Sequence, residues 1–213
     1  MESTVFQLLD LFGTAVFAAT GAVKGVRCKL DVFGVMVLAC CVGVGGGMIR
    51  DSILGATPVA ALQHWTYLGV CIGIGLFIFY TAKYWMHFRN LIQIFDAVGL
   101  GVFTSIGAAK GIQFDVSVIG VVLCGVVTAI GGGMIRDILT GSIPVVLRSD
   151  FYATAALIGG ILYYALHQFQ LNWFINFLIT SVFVTFIRML AIHYHVQLPR
   201  AHRKKRGQRF DRS

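Results

Sequence analysis

The chain has 213 residues, of which 57% are hydrophobic and 12% are charged. A soluble domain of this size carries about 25% charged residues, so the composition excludes a soluble globule and indicates an integral membrane protein. The formal net charge of +8 is concentrated near the C-terminus. Because no aromatic platform or recognition motif accompanies these basic residues, we expect no nucleic-acid binding.

Apolar segments follow one another along the chain, and each is long enough, or nearly so, to cross a bilayer. The seven segments are 5–24, 32–54, 62–82, 91–109, 116–139, 151–167 and 173–194. The alternating pattern of a membrane β-barrel is missing from them. We therefore predict an all-α integral membrane protein with seven transmembrane helices.

The second and fifth segments contain the same run, Gly-Gly-Gly-Met-Ile-Arg-Asp, at 45–51 and 131–137. With a constant offset of 86 and no gap, residues 10–58 match residues 96–144 at 20 of 49 positions. A match of this length indicates an internal duplication. Each copy holds three predicted spans, and an odd number makes the second copy enter the membrane from the opposite side, as in inverted repeats.

The duplication divides the chain into four predicted units. They are the first three-helix repeat (1–89), the second, inverted repeat (90–171), the seventh helix (172–195) and a basic tail (196–213). Lys and Arg in the connections fall after spans one, three, five and seven, except for Lys110, which falls on the opposite side after span four. The positive-inside rule then places the N-terminus outside and the C-terminus in the cytoplasm, where the tail is typical of an anchor at anionic lipid.

Glycine triplets lie within the second and fifth segments. Their backbone can kink or unwind and expose carbonyl oxygens, which are good ligands for dehydrated alkali cations. Small residues also allow close helix packing, but three consecutive glycines before an Arg-Asp pair favour a solute pathway. The candidate pore residues are Gly45, Gly46, Gly47, Gly131, Gly132 and Gly133.

Charged residues in or beside the spans form two predicted layers. The outer layer holds Asp10, Arg50, Asp51 and Lys110, and the inner layer holds Lys24, Asp96, Arg136 and Asp137. A charge at the centre of a membrane helix costs about 2.5–3.5 kcal/mol, so we expect pairing or hydration.

Each layer also offers a role in transport. We predict that Asp10 and Asp96 attract cations in water-filled vestibules. For Arg50 and Arg136, pairing with carboxylates and snorkelling to the headgroups both remain open. Arg188, which has no repeat equivalent, either neutralises an inner acid or snorkels to the inner surface, and we favour the second.

Catalytic patterns are missing from the sequence. It contains no nucleophile–base–acid set and no metal-ligand spacing, so we expect neither an enzyme, nor a cofactor, nor a resident metal ion.

The doubled motif, followed by Gly55/Gly141 and Pro58/Pro144 on this three-plus-three-plus-one plan, resembles the prokaryotic trimeric intracellular cation (TRIC) channel family. Related bacterial membrane proteins described as glycine transporters share the pattern. The resemblance covers about residues 1–195. It implies a homotrimer in the bacterial inner membrane, in which each subunit conducts K⁺ through a pore lined by the glycine-kinked spans two and five.

Two functions remain open at this point. A channel needs a continuous wet path with weak ion sites, whereas a carrier of glycine or another small amino acid needs partners for an ammonium and a carboxylate. Backbone carbonyls suit K⁺ and ammonium alike, while Arg50 or Arg136 suits a carboxylate. The resemblance favours the channel, with K⁺ as its transient ligand.

Overall fold

A computed structural model describes residues 2–85, 90–148 and 151–194. The described residues form ten α-helices and no strand. The helices are α1 (Glu2–Arg27), α2 (Val32–Leu54), α3 (Ala60–Gln63), α4 (Trp65–Tyr80), α5 (Ala82–Trp85), α6 (Leu91–Gln113), α7 (Val118–Leu139), α8 (Val145–Arg148), α9 (Ala153–Gln168) and α10 (Trp173–His193). The predicted basic tail, 196–213, lies outside the described residues.

The described helices include five that are long and apolar enough to cross a membrane, namely α1, α2, α6, α7 and α10. The apolar helix α4 and the helix α9 are shorter, with 16 residues each. Each of the seven predicted apolar segments therefore contains a helix. The chain is an all-helical, multi-pass membrane protein, as its composition predicted.

Equivalent local signals begin and end α2 and α7. The Asp31 carboxylate accepts a hydrogen bond from the backbone three residues on at 2.7 Å, and the Ser117 hydroxyl at the repeat-equivalent position does so at 3.3 Å. Such N-caps satisfy free N–H groups of the first turn. A left-handed glycine follows each helix, Gly55 with φ 68° and Gly141 with φ 65°, a conformation that glycine adopts without steric cost. The chain thus turns just after each Arg-Asp pair.

The helices α2 and α7 cross at the glycine triplets. A Cβ atom added to Gly46 would clash with the carbonyl oxygen of Thr128, and one added to Gly132 would clash with that of Val42. A Cβ atom at Gly131 would lie 2.9 Å from the Gly46 Cα atom. Both helices continue through their triplets. These three glycines therefore permit a very close helix contact, and a kink at the triplets stays a prediction.

Aromatic rings from α1 and α6 fill the core beside this crossing. Phe17 and Phe103, at repeat-equivalent positions, stack with ring centroids 5.1 Å apart, and both are buried. Gly99 leaves the space for one ring, because a Cβ atom there would lie 2.7 Å from Phe17. Gly13 faces Phe103 in the same way. The two copies of the repeat thus meet through the same pair of side chains.

Candidate functional site

Four charged side chains and one tyrosine lie beside the end of α2. We define them as the first charge cluster, which consists of Asp10, Arg50, Asp51, Tyr67 and Lys110. One carboxylate oxygen of Asp51 accepts from Arg50 Nε at 2.8 Å and from Lys110 Nζ at 2.7 Å. The Tyr67 hydroxyl donates to Asp10 Oδ2 at 2.9 Å. Such charge-assisted bonds offset part of the cost of burying these groups.

The second charge cluster lies beside the end of α7 and consists of Lys24, Asp96, Arg136, Asp137 and Tyr152. Arg136 Nη1 donates to Asp96 Oδ1 at 2.8 Å, and Arg136 Nε donates to Asp137 Oδ1 at 3.0 Å. One guanidinium group thus bridges two buried carboxylates. The bridge joins α7 to α6, in which Asp96 lies.

Lys24 departs from the expected pairing of the inner layer. Its Nζ atom donates to Ser142 Oγ at 3.2 Å. No ion pair of Lys24 with a carboxylate is found within the part of the chain that the structure describes. Its repeat equivalent Lys110 binds Asp51 directly, so the two clusters differ in their lysines.

Asp51 and Asp137 also bind backbone N–H groups of the chain that follows. Asp51 Oδ2 accepts from the Ala60 N–H at 3.1 Å, and Asp137 Oδ2 accepts from the Val145 N–H at 2.9 Å. These donors lie at the first residues of the short helices α3 and α8, where a carboxylate is favourable. Each of these aspartates therefore pairs with an arginine and also fixes the turn behind its helix.

The arginines are buried, which excludes the snorkelling interpretation for them. Arg50 is 1% exposed and Arg136 is 2% exposed. Arg188 is 6% exposed, with its guanidinium carbon 4.9 Å from the centroid of the Tyr152 ring. The expectation that Arg188 reaches the inner surface was therefore wrong, because the aromatic face offers the cation a partner inside the bundle.

A cavity opens beside the first charge cluster. Its lining includes Asp10, Gly47, Arg50, Asp51 and Tyr67. Within the described residues Arg50 Nη1 is buried and has no hydrogen-bond partner. The cavity has room for about one water molecule, and a cationic donor and a carboxylate line it next to the third glycine of the first triplet.

Sequence reasoning missed the two tyrosines of the clusters. The ungapped offset of 86 aligns Tyr67 with Ala153, one residue beyond Tyr152, so the correspondence was hidden by a slip of one residue. A signal was present, because each tyrosine stands at the start of the longer helix after a Gly-Gly-Gly-Met-Ile-Arg-Asp run: Tyr67 lies in the first turn of α4, and Tyr152 is the residue just before α9. Among the described residues, no group of three His, Cys, Asp or Glu side chains is placed to hold a metal ion.

Comparison with known proteins identifies the family. A family model described as "Glycine transporter" matches residues 7–83 and 93–168, which together make up well over half of the chain. The chain belongs to the glycine transporter family. This confirms the resemblance that the doubled motif predicted.

Relatives of the chain carry membrane-protein names. The UPF0126 membrane protein of Vibrio cholerae is 40% identical over 206 residues, covering 93% of this chain and 84% of the relative. The UPF0126 inner membrane protein YadS of Escherichia coli K12 is 37% identical over 193 residues, covering 90% of this chain and 93% of the relative. Similarity therefore extends over nearly the whole chain in both comparisons.

Solved structures show the same fold. The TRIC trimeric intracellular cation channel orthologue from Rhodobacter sphaeroides is 34% identical and covers 91% of this chain and 100% of its own, with a TM-score of 0.85. A structure that describes conductance through TRIC cation channels is 33% identical and covers 94% of this chain and 98% of its own, with the same TM-score of 0.85. The chain thus adopts the TRIC channel fold, and these structural relatives are channels rather than enzymes.

Proposed function

We propose that this member of the glycine transporter family is a monovalent cation channel that conducts K⁺ through a pore within each subunit. The observation that carries the proposal is the match, at a TM-score of 0.85, to a TRIC cation channel orthologue. The proposed pore runs between α2 and α7 and passes both charge clusters. Carboxylates at either end of such a path concentrate cations, as charged rings do in cation channels.

The proposed architecture is seven transmembrane helices in two inverted repeats, 1–89 and 90–171, followed by a seventh helix at 172–195. Contacts that exchange under the offset of 86 support it, since Gly46 faces Thr128 while Gly132 faces Val42. The family model also matches two separate segments, one within each proposed repeat. In this arrangement α4 and α9 cross the membrane as the shorter spans.

The proposed surroundings follow from the relatives and from the distribution of charge. A trimer in the bacterial inner membrane agrees with the names of the TRIC orthologue and of YadS. The basic residues of the connections and tail support an outside N-terminus and a cytoplasmic C-terminus with the tail, 196–213, at anionic lipid. The proposed partners are monovalent cations, the bilayer and two further copies of the chain.

The glycine triplets are the proposed site of opening. The contact of Gly46 with α7 leaves no room for an ion between the two helices, so the described conformation is closed at this point. Conduction then requires α2 and α7 to separate or bend at the triplets, which glycine permits because it has no side chain to hold the backbone.

The test is current from the purified full-length protein in a planar bilayer under a KCl gradient. We expect unitary steps that reverse near the K⁺ equilibrium potential. Asp10→Asn and Asp96→Asn are expected to lower the K⁺ conductance, whereas Asp115→Asn, an exposed acid outside both clusters, is the matched control. Absence of K⁺ current from protein that is folded and inserted would refute the channel.

A second candidate function is supported by the first charge cluster. Arg50 Nη1 has no hydrogen-bond partner within the described part of the chain and lines the same cavity as Asp10. A guanidinium and a carboxylate that line one cavity carry the charges that bind the two ends of glycine, so carriage of glycine or another small amino acid is the alternative. The cavity has to widen to admit such a solute, because it has room for about one water molecule. Saturable uptake of labelled glycine into liposomes, lost in Arg50→Gln and accompanied by no K⁺ current, would favour the carrier.

A further inference from the structure

The two charge clusters hold their equivalent aspartates with different partners. In the first cluster Asp10 accepts from the Tyr67 hydroxyl at 2.9 Å. In the second cluster Asp96 accepts from Arg136 at 2.8 Å. The Tyr152 hydroxyl makes no hydrogen bond within the described residues, although it lies near Asp96. The same position is thus bound by tyrosine in one half of the chain and by arginine in the other.

The arginines show the converse pattern. Arg136 Nη1 is bound by Asp96 and also by Thr20 Oγ1 at 3.2 Å. Arg50 Nη1 has no partner among the described residues, although Arg50 is 1% exposed. The repeat equivalent of Thr20 is Ile106, whose side chain has no hydrogen-bond acceptor. Arg50 therefore has fewer hydrogen-bond partners than Arg136, and the aspartate that it binds is Asp51 rather than Asp10.

The third glycine of each triplet, Gly47 or Gly133, also has different neighbours in the two clusters. A Cβ atom added to Gly133 would lie 3.2 Å from Tyr152 Oη, 3.6 Å from Asp96 Oδ1 and 3.8 Å from Arg136 Nη2. A Cβ atom added to Gly47 would meet only Arg50 Nη2, at 3.7 Å. Beside Gly133 the space is therefore taken by side chains of the second cluster, whereas Gly47 of the first triplet borders a small cavity.

We propose that Tyr67 and Tyr152 are positioning residues in a partner exchange, in which each aspartate is held by its tyrosine when the cluster is open and by its arginine when it is closed. The described conformation then has the first cluster open and the second closed. The exchange itself concerns only which side chains pair. Its effect on a transported solute rests on the proposed transport function.

The exchange changes the charge that a solute meets. An aspartate paired with arginine is neutralised by it, so it attracts a cation weakly. An aspartate held by a neutral tyrosine keeps its full negative charge and faces the cavity. Tyrosine binding therefore prepares Asp10 for a monovalent cation or the ammonium group of an amino acid, and arginine binding withdraws Asp96 from the same role.

Cysteine accessibility tests the exchange without measuring transport. Met48 lines the open cavity and Met134 is its repeat equivalent. Met48→Cys and Met134→Cys are placed separately in the full-length protein with its five native cysteines replaced by alanine. The rate of reaction with a small cationic methanethiosulfonate is measured in detergent, where both sides are reachable. We expect Met48→Cys to react at least about tenfold faster than Met134→Cys, the effect of about one hydrogen bond to a charged group.

The tyrosine variants then make opposite predictions. Tyr67→Phe frees Asp10 for Arg50 and closes the first cluster, so the Met48→Cys rate falls about tenfold. Tyr152→Phe removes a hydroxyl that has no bond in this state, so both rates stay within twofold. Arg136→Gln opens the second cluster and raises the Met134→Cys rate. Tyr164→Phe, in α9 and outside both clusters, is the control and leaves both rates unchanged.

A purely structural role for Tyr67 is separated by a second substitution. Adding Arg50→Gln to Tyr67→Phe removes the closing arginine, so the exchange restores the fast Met48→Cys rate, whereas a structural defect stays or worsens. Equal rates for the two cysteines, or an unchanged Met48→Cys rate in Tyr67→Phe, would overturn the proposal. Because no current is measured, this pattern can hold even where K⁺ conduction fails, and the two proposals are judged apart.

Discussion

Two neighbouring glycines of the first triplet are expected to respond oppositely to the same substitution. A Cβ atom at Gly46 would clash with the Thr128 carbonyl oxygen, a backbone atom that cannot rotate away. A Cβ atom at Gly47 would lie 3.7 Å from Arg50 Nη2, which is ordinary van der Waals contact with a flexible side chain. Gly46→Ala must therefore push α2 and α7 apart, whereas Gly47→Ala fits.

The magnitudes follow from two opposing terms. Overpacking costs about 1–3 kcal/mol, with a backbone clash near the upper end. Alanine is more favourable than glycine within a helix by about 1 kcal/mol. We therefore expect Gly46→Ala to lower the free energy of unfolding by about 2 kcal/mol and Gly47→Ala to leave it unchanged or raise it by up to about 1 kcal/mol.

The assay is reversible unfolding of the purified protein in mixed detergent micelles, with both variants at one protein and detergent concentration. Gly132→Ala is the matched control, because a Cβ atom there would clash with the Val42 carbonyl oxygen, and its loss should equal that of Gly46→Ala. If Gly47→Ala destabilises the protein as much as Gly46→Ala does, the triplet acts through general backbone flexibility, and the argument from close packing fails.

Four further variants are measured in the same unfolding assay. Arg136→Leu removes the arginine from two buried carboxylates and should lower the free energy of unfolding by about 3–5 kcal/mol. Arg50→Leu should lower it less, because Lys110 still pairs with Asp51. Equal losses of stability in the two variants would contradict this reasoning. Phe103→Ala leaves a cavity beside its stacked partner and should cost about 3–5 kcal/mol, so a loss below about 1 kcal/mol would show that the core relaxes there. Gly141→Ala places a side chain at φ 65° and should cost about 1–2 kcal/mol, and a neutral effect would show that the turn is easily rebuilt.

Much of the fold was predictable because membrane helices leave a strong sequence signal. A long apolar segment in lipid has to satisfy its backbone internally, so the seven segments predicted helices with ends close to those observed. The caps at Asp31 and Ser117 and the glycines at 55 and 141 follow from local chemistry that the duplication repeats. The short helices α3, α5 and α8 were not predicted, because four residues carry too little periodicity to indicate a helix.

The grouping of the charges was predictable, but their partners were not. Two layers follow from counting along antiparallel helices, and the charges of each layer do come together, apart from Lys24, which binds Ser142 instead of a carboxylate. Which donor binds Asp10 or Asp96 depends on differences of about an ångström between side chains of separate helices, and no spacing in the sequence encodes them. Arg188 shows the same limit, since its place over Tyr152 follows from how α10 packs against its neighbours.

The glycine triplets and the charge clusters perform complementary tasks under the proposed function. Glycine brings α2 and α7 so close that an ion cannot pass between them, with the side chain of Ile135 against Gly45 and that of Ile49 near Gly131. A contact made largely of backbone depends on the packing around it, so small changes elsewhere shift its balance. The charge pairs beside each triplet supply such a change, because an arginine that leaves its aspartate weakens the tie between neighbouring helices. Opening at the glycines and exchange at the aspartates are then two parts of one conformational equilibrium, which a cation at either carboxylate biases.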